Sequence, residues 1–180
     1  MTRSEARPSA RVRRATSRDL EQMARNTQSV ADEGGYIFTE RVTEERRRSM
    51  EGLIKDKGCL VIVAEVEGGR GRKIVGNLTM TKYGDVEKTR HVRVLGMLLI
   101  DGYRGFGIGT RLMSSALEWA KAQDEVEKVI LGVFSNNPRA IHLYEKFGFK
   151  VEGVRKSQYY FAGKHTDEID MALFVKRPSS

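Results

Sequence analysis

The chain has 180 residues, 39% of them hydrophobic and 31% charged, which suits one globular domain and excludes a chain disordered as a whole. Lys and Arg total 32 against 24 Asp and Glu, a net charge of +8, and one cysteine excludes a disulfide scaffold or a cysteine-rich zinc module. No apolar run, Met97 to Ile100 included, approaches a membrane span, and His91, His142 and His165 share no ligand spacing, so neither a membrane nor a metal partner is expected.

Half of the positive excess lies in residues 1–14, which hold five Arg and one Glu. Residues 1–9 read as a solvated, disordered basic tail without the apolar stretch of a secretory signal, and 10–176 as the folded domain. The cytoplasm is the expected location. A basic tail can meet nucleic acid, but the body carries no basic stripe interleaved with aromatics, so such a partner is not expected.

Arg11 to Thr16 reads as a first strand. Ser17 can cap a helix from Asp19 towards Val30, with Leu20, Met23 and Ala24 on one face, and Gly34-Gly35 breaks it. Thr43 followed by Glu44 and Glu45 starts a second helix that stops at Gly58. The period then changes. Cys59 to Val66 and Lys73 to Tyr83 form a hairpin about a turn at 67–71, and His91 to Ile100 is a central strand. Thr110 to Lys121 is an amphipathic helix, and Lys128 to Phe134 is a strand. Asn137 and Pro138 open a helix that Gly148 ends. Phe149 to Val154 and Glu168 to Val175 are the last strands. The order β-α-α-β-β-β-α-β-α-β-β predicts an α+β (mixed α/β) single domain with a central, mostly antiparallel twisted sheet flanked by helices.

The strongest signal is the turn Arg104-Gly105-Phe106-Gly107-Ile108-Gly109-Thr110, between a buried strand and a helix. Its glycines permit positive φ and close approach of the backbone to a ligand. N–H groups entering a helix are unpaired and favour an anion, and Arg104 adds paired donors suited to phosphate. A P-loop would need Gly-Lys-Ser/Thr, and a dinucleotide fingerprint would need Gly where Thr110 stands.

This segment resembles the Arg/Gln-x-x-Gly-x-Gly/Ala signature of the GNAT superfamily of acyl-CoA N-acyltransferases. Asn137-Pro138-Arg139-Ala140 followed by Tyr144-Glu145-Lys146-Phe147-Gly148-Phe149 is similar to the family's second block. The resemblance runs from about residue 10 to 175. It implies an enzyme that moves an acetyl group from acetyl-CoA, its cosubstrate, to a primary amine by direct attack. By resemblance, backbone groups of Leu98 and Ile100 pair with the pantetheine arm. Arg104, Gly105, Gly107, Gly109 and Thr110 hold the pyrophosphate, and Asn137 bonds the arm or simply caps its helix. Tyr144 is the general acid for the departing thiolate.

The family often has a Glu on the central strand as general base, and here the comparable position is Val94. The proton must then leave through ordered water or a loop acid. Glu33, Asp85 and Asp167 are the candidates, with His91 as a weaker one. The resemblance places the acceptor groove between Gly34 to Phe38 and Ser157 to Phe161, whose aromatics suit a peptide or an apolar amine. An acidic pocket would favour a polyamine, and Asp167, Glu168 and Asp170 are the acidic cluster in reach, with Glu168 and Asp170 forming a solvent face. A protein N-terminal amine, as in ribosomal proteins, an amino acid and a small amine such as a polyamine all stay open. The alternative is a non-catalytic acyl-CoA-binding regulatory domain of the same fold. A homodimer is compatible with the exposed edges of an open sheet.

Overall fold

The computed structural model describes residues 9–68 and 71–176. The basic tail is therefore outside the described residues except for residue 9, and so are positions 69 and 70 of the expected 67–71 turn.

The seven strands are β1 (Ala10–Arg14), β2 (Leu60–Gly68), β3 (Gly71–Lys82), β4 (Val92–Leu99), β5 (Lys128–Phe134), β6 (Lys150–Phe161) and β7 (Lys164–Phe174). The helices are α1 (Leu20–Asp32), α2 (Glu44–Lys55), α3 (Ile108–Ala122) and α4 (Pro138–Lys146). The strands form one sheet in the order β1-β2-β3-β4-β5-β7-β6, with β4 at its centre as expected. Every pairing is antiparallel except β4 with β5.

Alternation along β2 sorts the two faces. Leu60, Ile62 and Ala64 join the main core with Leu112, Met113, Ala116 and Leu117 of α3 and Tyr144 of α4. Val61 and Val63 point the other way, against Met23 of α1 and Met50, Leu53 and Ile54 of α2. The apolar residues of α3 recur at helical spacing, so its buried stripe is continuous.

Three local features differ from the sequence reading. Thr16, not Ser17, caps the first turn, through a reciprocal capping box with Asp19. Asp19 also takes both terminal nitrogens of Arg13 at 2.7 and 2.8 Å, while Arg13 Nε reaches Glu65 at 2.8 Å, which ties β1 and the entry to α1 onto β2. Helix α2 ends at Lys55, before Gly58. The last hairpin is much longer than its apolar residues suggest, because β6 is an edge strand exposed along most of its length and shows no alternation. It carries a bulge between Arg155 and Tyr159, where Ser157 takes a φ of 51° and its N–H donates to Asp167 Oδ1 at 2.8 Å.

Candidate active site

β4 pairs with β3 along its whole length and β5 pairs with β7 along its whole length, yet β4 and β5 pair with each other only over Val92–Lys128, Arg93–Val129 and Val94–Ile130. Beyond Val94 the two central strands part. The opening lies within a cavity of about 980 Å³ walled by β4, β5, the turn after β4, and residues from α1, α2 and α4.

Eight of the nine expected site residues line this one cavity: Leu98, Arg104, Gly105, Gly107, Gly109, Thr110, Asn137 and Tyr144. Ile100 does not. Its N–H donates to Val75 C=O at 3.0 Å and its C=O accepts from Tyr103 N–H. In an antiparallel ladder alternate residues address the same neighbour. Leu98 therefore turns its backbone groups to β3 as well, opposite Asn77. The expectation for Leu98 and Ile100 is corrected: the backbone groups on the open side are those of Met97 and Leu99. Leu98 contributes to the wall.

The turn itself is built for a close anionic neighbour. Gly105 and Gly107 have φ of 87° and 80°, and Gly107 is the N-cap of α3, with no side chain capping it. The first turn of α3 contains no acid, so its N–H groups and positive dipole end face the cavity uncontested.

Arg104 is held differently from the expectation. Its terminal nitrogens fork onto Glu33 at 2.6 and 2.8 Å, and its Nε donates to Leu99 C=O at 2.9 Å. The guanidinium lies 4.9 Å from the Tyr36 ring. Its charge is matched by Glu33, so Arg104 fastens the end of α1 to the turn, and the anion-binding groups left in the turn are backbone N–H groups. Glu33, one of the expected bases, is spent in the same pair.

Asn137 caps α4, accepting from Ala140 N–H at 3.2 Å through Oδ1, which leaves its amide N–H groups for another partner. Tyr144 sits about two helical turns further on, 6% exposed and packed 5.9 Å from Phe149. Burial pushes its phenol up to about 12, so it is protonated throughout the physiological range.

The other expected bases fall away. Asp167 holds the β6 bulge and pairs with Lys156 at 2.8 Å. Asp85 and His91 are not in the cavity wall. Val94 does line it, so the carboxylate is indeed missing from β4. Glu168 is not the solvent-face residue its parity suggested: it is 6% exposed, and Arg155 donates to its Oε2 at 3.0 Å.

The segments expected to border the acceptor do meet. Phe38 stacks on Tyr159 at 5.1 Å and meets Phe134 edge-on at 4.7 Å, and Phe161 lies 6.2 Å from Phe134. Phe134 had been read only as a strand residue. Sequence reasoning also missed a polar row on β3: Asn77, Thr79 and Thr81 face the cavity opposite Leu98, Gly96 and Val94. Asn77 is 4% exposed and its Oδ1 has no hydrogen-bond partner. A polar residue at period two in a central strand was the available signal.

Comparison with known proteins agrees with this architecture. The Acetyltransferase (GNAT) family profile matches residues 21–149. The chain is 28% identical over 165 residues to the L-amino acid N-acetyltransferase AaaT of Escherichia coli, covering 89% of this chain and 95% of that protein. It is 26% identical over 160 residues to an N-alpha-acetyltransferase of Sulfolobus acidocaldarius, covering 84% of each. A GNAT superfamily phosphinothricin acetyltransferase of Sinorhizobium meliloti, solved in complex with acetyl-CoA, superposes with a TM-score of 0.82 at 20% identity, over 95% of this chain and 92% of that one. The chain belongs to the acetyltransferase (GNAT) family. It is an enzyme that transfers acetyl from acetyl-CoA to an amine. The cavity fits that cosubstrate: beyond Val94 the edge of β4 that faces β5 is not paired with it, and of the open-side groups there only the Leu99 C=O is taken, by Arg104, which suits the cosubstrate's amides; an uncapped helix N-terminus suits its pyrophosphate.

Proposed function

We propose that the acceptor is an amine that carries its own carboxylate, an amino acid with an apolar side chain. The observation behind this reading is the charge of the cavity wall. Arg46 and Arg47 of α2 line it, on the side of the sheet away from α3. Arg47 is paired with Glu21, and Arg46 has no ion pair among the described residues. Asp101, beside the turn, is the one carboxylate among the described lining residues. A polyamine needs several acids, and this wall offers arginines. A carboxylate answers Arg46 with a charge-assisted pair. The Phe38, Phe134 and Tyr159 rings suit an apolar body. The Escherichia coli relative described above is also named for L-amino acids.

In this reading Met97 and Leu99 pair with the pantetheine arm as an added strand would, with a further bond from the free amide of Asn137. The first turn of α3 and the loop 105–110 hold the pyrophosphate. A backbone N–H on β4 polarises the thioester carbonyl, the amine attacks it, and Tyr144 gives its proton to the departing sulfur.

Thiol release from acetyl-CoA tests the acceptor class. The panel pairs each apolar amino acid with the amine that lacks only the carboxylate, and adds spermidine and short peptides. The carboxylated member of each pair is expected to react at least about tenfold faster in kcat/KM, from the loss of one charge-assisted contact. Arg46→Ala should raise KM for that member alone. Preference for spermidine or for the decarboxylated amines overturns the reading.

A further inference from the structure

The geometry points to Glu168, on β7, as the general base of acetyl transfer, working through the space that Gly132 leaves open on β5. This assignment rests on the amine-acetylating reading of the site above.

Continuing the parallel register two residues past Val94–Ile130 sets Gly132 opposite Gly96, where β4 and β5 part. Both glycines line the cavity. They share the face that carries Asn77, Thr79 and Thr81, because Thr79 pairs with Gly96 and Val94 with Thr81. No side chain from position 96 or 132 therefore stands at the mouth of the opening on the acceptor face. Glu168 is not itself among the residues of the cavity wall; its carboxylate lies one strand away, against Gly132, which is. A Cβ on Gly132 would fall under 3.0 Å from Glu168 Oε1, and 3.3 Å from the Phe38 ring. Glu168 and Phe134 are register partners, so the glutamate is on the right face to lean over Gly132.

The two oxygens of Glu168 are not equivalent. Oε2 accepts from Arg155 at 3.0 Å and from Tyr159 O–H at 3.3 Å. Both side-chain hydrogen bonds of Glu168 go to Oε2, and Oε1 is turned to the Gly132 side. A buried carboxylate anchored through one oxygen presents the other to a further donor. The charged and titratable groups around it are Arg155 and Tyr159 of β6 and, through Arg155 Nε at 3.1 Å, Asp170 of its own strand. Gly132 and Phe134 of β5 and Phe38 of the α1–α2 loop add none. The remaining buried carboxylates among the described residues, Asp19 and Glu65, both belong to Arg13 at the other edge of the sheet. Glu168 thus stands in for the carboxylate absent at Val94.

The proton count closes. The acceptor arrives as an ammonium and gives one proton to Oε1. The nitrogen lone pair forms the N–C bond, the C–S bond breaks, and sulfur leaves with that electron pair. Tyr144 O–H protonates the sulfur. The nitrogen's second surplus proton restores the Tyr144 phenol through solvent, and Glu168 returns its proton to water. One proton is released per acetyl transferred.

The test compares wild type, Glu168→Gln, Glu168→Ala and the double variant Glu168→Ala/Gly132→Glu, with wild-type turnover on the acceptor measured first. Glu168→Gln is expected to lower kcat by about 100-fold or more and to abolish the acidic limb of the kcat/KM–pH profile, with acetyl-CoA affinity unchanged by calorimetry. The double variant returns the carboxylate from β5 and should recover at least about tenfold over Glu168→Ala. Glu168→Gln within about threefold of wild type with the acidic limb intact overturns the assignment alone. So does a loss of both thermal stability and acetyl-CoA affinity in the single variants with no gain from the double variant. A wild type that binds acetyl-CoA and acetylates no amine overturns the function first, and the assignment with it.

Discussion

At the scale of single residues, the site separates groups that hold from groups that react. Arg104 has the chemistry of a phosphate ligand, but the fork to Glu33 makes it a fastener between α1 and the turn. In the proposed reading phosphate recognition is left to backbone N–H groups, which carry no titratable charge. Tyr144 is the reverse case: its hydroxyl is in no side-chain hydrogen bond among the described residues, and the residue lines the cavity. Tyr144→Phe should therefore lower kcat by about ten- to a hundredfold, read by thiol release, and leave acetyl-CoA affinity within about twofold. Because burial raises the phenol to about 12, Tyr144 stays protonated, and as the proposed acid it should give turnover no alkaline limb below about pH 11. The same shift has a sign for folding. Stability from the buried neutral phenol is complete below its ordinary pKa near ~10 and is lost as pH rises through about 12, since the unfolded chain ionises first.

At the scale of elements, the junction between β4 and α3 is the part of the cavity proposed to hold the pyrophosphate. Gly107 has a φ of 80°, and a Cβ there would meet no protein atom within 4 Å. The protein thus gives Ala room but not an easy conformation, at a cost of about 1–2 kcal/mol. The methyl would also enter the anion's side of the turn. Gly107→Ala is expected to weaken acetyl-CoA binding by calorimetry more than this conformational term alone accounts for, with only a modest fall in Tm. This junction was legible in the sequence, because glycine spacing and helix start signals are local. The same holds for Asn137 with Pro138, and for the α3 stripe. The acceptor side was not. Glu168 looks like a surface residue along its own strand, and its burial follows from Gly132 on a neighbouring strand 36 positions away. The β6–β7 hairpin hides its length because an edge strand has no periodic face. Ile100 was misassigned because which backbone groups face outward depends on the ladder phase, fixed here by the bond to Val75.

At the scale of the whole molecule, the chain order of strands and helices and a mostly antiparallel sheet flanked by helices follow from the apolar periods and are legible in the sequence. What those periods cannot encode is where two neighbouring strands stop pairing. The separation of β4 from β5 after Val94 leaves a seven-stranded sheet that is hydrogen-bonded continuously at one end and divided at the other. Acetyl-CoA bound in the gap would act as a missing seam. The two halves, β1 to β4 and β5 to β7, would then open and close against each other less readily, and this can be read as amide exchange. In the free protein the Met97 and Leu99 amides should exchange fast while Leu98 and Ile100, bonded to β3, exchange slowly. Saturating acetyl-CoA should slow Met97 and Leu99 and leave the other two nearly unchanged, so that protection alternates residue by residue before binding and becomes uniform after it.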